Sequence, residues 1–102
     1  MDNESSAPDQ PTLHRAFHVN SHYRLQWEEA QQCHVLLYPE GMVRLSATAT
    51  EILQRCLEPV TLSALVTRLC AAFADAPADV IAQDVEEFVA DALQQGWLVD
   101  AG

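Results

Sequence analysis

The chain contains no lysine, and five arginines stand against fifteen carboxylates, for a net charge of −10. A surface with that balance repels phosphate backbones and anionic lipid heads, which argues against nucleic-acid binding and against attachment to acidic membranes. Basic side chains also stop early. None follows Arg68, while Asp75, Asp79, Asp84, Glu86, Glu87, Asp91 and Asp100 do. No apolar run approaches the roughly 20 residues that cross a membrane. The first ten residues lack the basic and apolar regions of a secretory signal, so the expected location is cytoplasmic. Glycine is scarce, three in 102 residues, and leaves little for loops that cradle phosphates. Cysteine is equally scarce. Cys33, Cys56 and Cys70 are odd in number and form no C-x-x-C pair, which argues against a disulfide framework or a structural zinc site. The G-x-S-x-G and H-E-x-x-H patterns are absent. No catalytic residue and no cofactor is expected from this inventory, and a binding module suits it better than an enzyme.

What is present is an ordinary globular composition, 49% hydrophobic, of a length that builds one domain around one core. Residues 1–22 hold Pro8, Pro11 and polar side chains without sustained periodicity, and read as a flexible N-terminal tail. From Tyr23 the period is two: Tyr23, Leu25 and Trp27 share one face of a strand. After a polar turn, Cys33–Tyr38 is more continuously apolar, as a central strand is. Pro39-Glu40-Gly41 has the chemistry of a three-residue hairpin with a glycine bulge. Met42–Leu45 returns as a third strand at an edge. The period then changes. Ser46 or Thr48 can cap a first helix with stripe Ala49, Ile52, Leu53, Cys56, and Thr48 with Glu51 fits a capping box. Thr61 can cap a second, with stripe Leu62, Leu65, Val66, Leu69, Cys70, Phe73. A third runs from about Asp79 to Gln95, turning Ile81, Val85, Phe88, Val89, Ala92 and Leu93 inward, with Gly96 placed to end it. Trp97-Leu98-Val99 packs back or adds a short strand. The predicted fold is α+β and winged-helix-like: a three-stranded antiparallel meander followed by three helices, over residues 23–99.

Few residues invite chemistry. His14, His18 and His22 recur every four residues and would share one face of a helix, but strand signals begin at Tyr23 and no helical context surrounds them. A solvated tail with no metal is the expectation. His34 falls within the second strand, where a packed residue is commoner than a catalytic base. A winged helix that binds DNA carries a basic recognition helix; the third helix here carries only acids. What remains is the edge strand Met42–Leu45, whose unpaired backbone groups can accept a further strand. A peptide can fill that edge, and so can the chain's own tail or a second copy.

The residues Arg24-Leu25-Gln26-Trp27-Glu28 and His34-Val35-Leu36-Leu37-Tyr38-Pro39-Glu40-Gly41-Met42-Val43 closely resemble the PqqD family of pyrroloquinoline quinone (PQQ) biosynthesis. The resemblance continues through Leu45, Ala49, Ile52, Leu53, Asp84-Val85, Glu87-Phe88 and the Gly96-Trp97-Leu98 ending. It spans about residues 23–99 and leaves the three histidines outside. It implies a peptide chaperone without cofactor. Such a protein binds the precursor peptide PqqA and delivers it to the radical S-adenosylmethionine enzyme PqqE, which joins a glutamate to a tyrosine of the peptide. It also implies a groove in which the peptide adds as a strand, with Met42, Val43, Arg44 and Leu45 on one side and Val85, Phe88, Val89 and Ala92 on the other. The competing readings are recognition of a different ribosomally made, modified peptide, and a metal or redox role for His14, His18, His22 and Cys33. An open edge and a long tail further suggest a labile or segment-swapped homodimer.

Overall fold

The structure, a computed structural model, describes residues 15–101. Its first element departs from expectation. Ala16–Val19 is a strand, β1, in which Phe17 and Val19 are buried while Ala16 and His18 are partly exposed. Two inward residues in four are too short a pattern to read as a strand beside a proline-containing segment, and it is long-range pairing that selects the conformation. β1 is the middle strand of a three-stranded antiparallel sheet with β5 (Val60–Thr61) and β6 (Leu98–Asp100). Phe17 lies opposite Val60, and Val19 opposite Leu98. The Val19 N–H donates to the Cys56 carbonyl at 2.9 Å, and the Asn20 amide side chain donates to the Gly96 carbonyl at 2.9 Å. The folded unit therefore includes Ala16–Val19 and does not begin at Tyr23. Residues 1–14, His14 among them, lie outside the described residues. His18 sits in a strand and His22 in the turn after it, so these two do not share a helical face.

The meander forms as expected from β2 (Arg24–Glu28), β3 (Cys33–Tyr38) and β4 (Gly41–Arg44), with β3 central. Gln32 closes the β2–β3 connection in the left-handed region, φ 57°, and its side-chain amide donates to the Glu29 carbonyl at 2.8 Å. The β3–β4 hairpin is tighter than its sequence suggests. Tyr38 pairs with Gly41, so Pro39-Glu40 is a two-residue loop. Gly41 does not take positive φ, and a Cβ there would meet the Tyr38 ring only at 3.5 Å or more, so no glycine bulge forms.

Helix α1 (Ala47–Gln54) is capped by Ser46, whose Oγ accepts the Ala49 N–H at 3.0 Å. Glu51 does not complete a capping box with Thr48; it pairs with Arg55 one turn on, at 2.7 Å. Thr61 caps α2 (Leu62–Ala72) by accepting the Ala64 N–H at 3.1 Å. Helix α3 (Ala78–Gln95) starts after Pro77 and ends at Gly96, φ 85°, in the left-handed conformation glycine adopts at least cost. The three helices and both sheets close on one core that includes Phe17, Leu36, Ile52, Leu53, Leu65 and Val89. Among the described residues the architecture is α+β, the predicted meander and three helices with a second small sheet that joins β1 to β5 and β6. Among the described residues, no helix is long and apolar enough to cross a membrane.

Candidate functional site

The site is built by one hydrogen bond and the alternation that follows from it. The Leu45 N–H donates to the His34 carbonyl at 3.0 Å. Along an antiparallel pair, bonded and non-bonded residue pairs alternate. With Leu36 opposite Val43 and Tyr38 opposite Gly41, these are the bonded pairs, and the backbone groups of Gly41, Val43 and Leu45 are used inside the sheet. Met42 and Arg44 lie between them, opposite Leu37 and Val35, and direct N–H and C=O away from β3. Among the described residues no strand pairs with that side of β4. The edge thus presents two donors and two acceptors spaced for one more strand.

Side chains of the meander divide by the period of two. Leu25, Leu36 and Val43 face the core. Met42 and Arg44 share the opposite face with Arg24, Gln26, Val35 and Leu37, by their register. Met42 is 43% exposed, and Arg24, Gln26 and Arg44 are exposed as well. The ion pairs among the described residues are Arg15 with Asp100 and Arg55 with Glu51; Arg24 and Arg44 take no part in them.

The residues assigned to the two sides of a groove are not equally accessible. Met42 and Arg44 are open and Val43 is half-buried. Leu45, Val85, Val89 and Ala92 are buried and belong to the common core; Phe88 is partly buried against the Trp97 ring, centroids 6.3 Å apart. The periodicity that marks the inward face of a helix does not separate residues covered by their own chain from residues waiting for a ligand. Helix α3 packs chiefly on α2 and β6, and β4 on β3. Asp79, Asp84, Glu86, Glu87 and Asp91 lie on the exposed face of α3.

An apolar recess of about 180 Å³ does border α3, between Ile52 of α1, Leu69 of α2, Phe73 just after that helix, and Ile81 and Val85. Phe73, in its lining, is 42% exposed. A more open recess of about 480 Å³ lies at the hairpin end of the meander, lined by Tyr23, Arg24, Tyr38, Pro39 and Leu57 among others; none of the expected site residues lines it.

Among the described residues, titratable groups show no arrangement for acid–base chemistry. Burial pushes the Cys56 thiol up to about 12, away from reactive thiolate, which makes it a core residue. Cys33 and Cys70 are partly exposed and unpaired. Glu29 is held below the ordinary carboxylate range by the Trp27 indole N–H, with a smaller contribution from the Gln32 amide, in the β2–β3 turn. Among the described residues, no three His, Cys, Asp or Glu side chains come together to hold a metal ion.

Known proteins share this sequence and fold. The family described as Coenzyme PQQ synthesis protein D (PqqD) matches residues 33–98. A protein of Acinetobacter baylyi named PqqA binding protein is 42% identical over 86 residues, 84% of this chain and 85% of its own. One of Azotobacter vinelandii with the same name is 41% identical over 95 residues, 93% of this chain and 95% of its own. The solution structure of the PqqD truncation of Methylobacterium extorquens PqqCD superposes with a TM-score of 0.69 at 26% identity, covering 88% of this chain and 98% of that one. That protein is described as a functional, stand-alone recognition element for a ribosomally synthesised and post-translationally modified peptide. The second matched relative reaches well before Tyr23, in keeping with a fold that includes β1. Sequence and fold together make the chain a member of the PqqD family.

Proposed function

We propose that this protein binds the PqqA precursor peptide as an added strand along β4 and presents it to the radical S-adenosylmethionine enzyme PqqE in PQQ biosynthesis, without performing chemistry itself. The observation that carries the reading is the edge of β4 that no described strand covers, where Met42 and Arg44 hold their backbone N–H and C=O groups outward from the meander. Strand addition draws affinity from main-chain hydrogen bonds and specificity from alternate side chains, so it requires no cofactor, no cationic surface and no nucleophile. Relatives over most of this length are named for binding PqqA, and the matching solution structure is described as a peptide recognition element. Burial of Val85, Val89 and Ala92 supports a peptide on the edge and outer face of β4; of the four expected α3 residues, Phe88 is the one only partly buried.

Calorimetric titration of synthetic PqqA into the full chain tests the reading. Saturable one-to-one binding, with no binding of a scrambled peptide of the same composition, is expected. Equal binding of the two peptides contradicts it. Presentation is tested separately, by whether adding this protein permits PqqE to crosslink PqqA.

A further inference from the structure

We propose that Arg44 is a specificity residue of the β4 edge, which accepts a strand carrying a carboxylate opposite Arg44 and an apolar side chain two residues away, opposite Met42. The inference deepens the strand-addition reading and rests on it. The register of the edge leads to it. Because Met42 and Arg44 are the residues whose backbone groups point outward, they stand directly opposite the bonded residues of an added antiparallel strand. Side chains directly opposite on one face lie about 5.5 Å apart or less, within contact distance. The intervening residue of the added strand turns to the other face, beside half-buried Val43.

Among the described residues Arg44 also has no counter-charge of its own. In a chain with five basic side chains and fifteen acids it is exposed, and it makes no ion pair or side-chain hydrogen bond with any described residue. A charge on an edge strand ordinarily guards that edge against pairing. A strand that does pair there must then supply the opposite charge, or leave the guanidinium beside its backbone uncompensated. Met42 sets the second condition. It is 43% exposed, on the same face as half-buried Leu37 opposite it, and forms an apolar step next to the arginine. The overall charge of −10 repels acidic peptides at long range, so discrimination in favour of a carboxylate is a local property of this face.

The test uses the full chain and synthetic PqqA, followed by calorimetry, with circular dichroism on each variant. R44Q should weaken binding about threefold and R44E about tenfold, the range of a partly exposed charge pair and its reversal. Among PqqA peptides with single Asp or Glu residues replaced by Lys, one should recover most of the binding lost in R44E. R24E changes the same charge on the same face but on the far strand, and should stay within about twofold of the parent. M42P, which removes an outward N–H, tests the underlying reading. If M42P abolishes binding while R44E binds no worse than R24E, strand addition stands and the role of Arg44 fails. Weakening by R44E that no peptide replacement relieves overturns the carboxylate assignment. Parental binding by M42P overturns both. Should R44E lose the dichroism of the parent, R44Q carries the test: its threefold loss must disappear against the one peptide whose carboxylate has been removed, and a loss that persists there overturns the proposal.

Discussion

The Leu45 N–H donates to the carbonyl of His34, 11 positions back along the meander, at 3.0 Å, and this bond sets the parity of β4. It turns Val43 inward toward Leu36 and leaves Met42 and Arg44 facing out. Two prolines one residue apart should therefore behave differently. V43P removes an N–H that bonds within the sheet and orphans the Leu36 carbonyl, at a cost of about 1–3 kcal/mol. M42P removes a donor that no described residue uses, and proline is tolerated on an edge. We expect thermal unfolding of M42P within about 1 kcal/mol of the parent with PqqA binding lost, and V43P clearly destabilised. Equal destabilisation by the two would contradict the assigned parity.

The meander, the three helices, the Thr61 cap and the Gly96 stop were legible because each is a local pattern: period two, period 3.6, a hydroxyl at a helix start, a glycine at a helix end. The second sheet was not, because β1, β5 and β6 are four, two and three residues long and are held by pairing across the whole chain. The hairpin loop was misjudged because Gly41 invites a positive φ that the chain does not use. Of the expected groove, the edge position of β4 was legible from the sequence. The α3 residues could not be sorted, because Val85 in the core and Phe88 near the surface fall on the same stripe.

The contribution of β1 is measurable. Phe17 is 2% exposed and lies among core residues from both ends of the chain. F17A should cost about 3–5 kcal/mol, the usual loss for a deleted core phenylalanine. A chain beginning at Tyr23 should lose its cooperative unfolding transition. Stability equal to the parent in denaturant would show that residues 16–22 are dispensable after all.

Cys56 should make stability fall at alkaline pH. Its thiol is raised to about 12 by burial, so the folded state holds the proton more tightly than the unfolded chain, whose cysteine titrates near 9. The contribution is complete below about pH 9 and is lost as pH rises toward 12. Between pH 9 and 10, the parent should lose on the order of 1 kcal/mol more than C56A. At neutral pH, thiol reagents should modify Cys33 and Cys70 but reach Cys56 only on unfolding. Parallel pH curves for parent and C56A would refute the assignment.

We also propose that self-association uses the same edge as peptide binding. An outer edge of β4 that no described strand covers and a two-residue hinge at Pro39-Glu40 favour strand- or segment-exchanged dimers, while a net charge of −10 opposes them. Sedimentation should show dimer growing with protein concentration and with salt, and declining as PqqA is added. A dimer that binds PqqA without dissociating would place its interface elsewhere.

Amide hydrogen exchange at Met42 and Arg44, read residue by residue by NMR with and without saturating PqqA, tests strand addition most directly. In the free protein both amides should exchange quickly while those of Val43 and Leu45 are protected by β3. With peptide bound, Met42 and Arg44 should become protected too, by at least about tenfold for bonds worth 1.4 kcal/mol together. Met42 and Arg44 amides that still exchange at their free rates when PqqA saturates the protein would contradict strand addition at this edge.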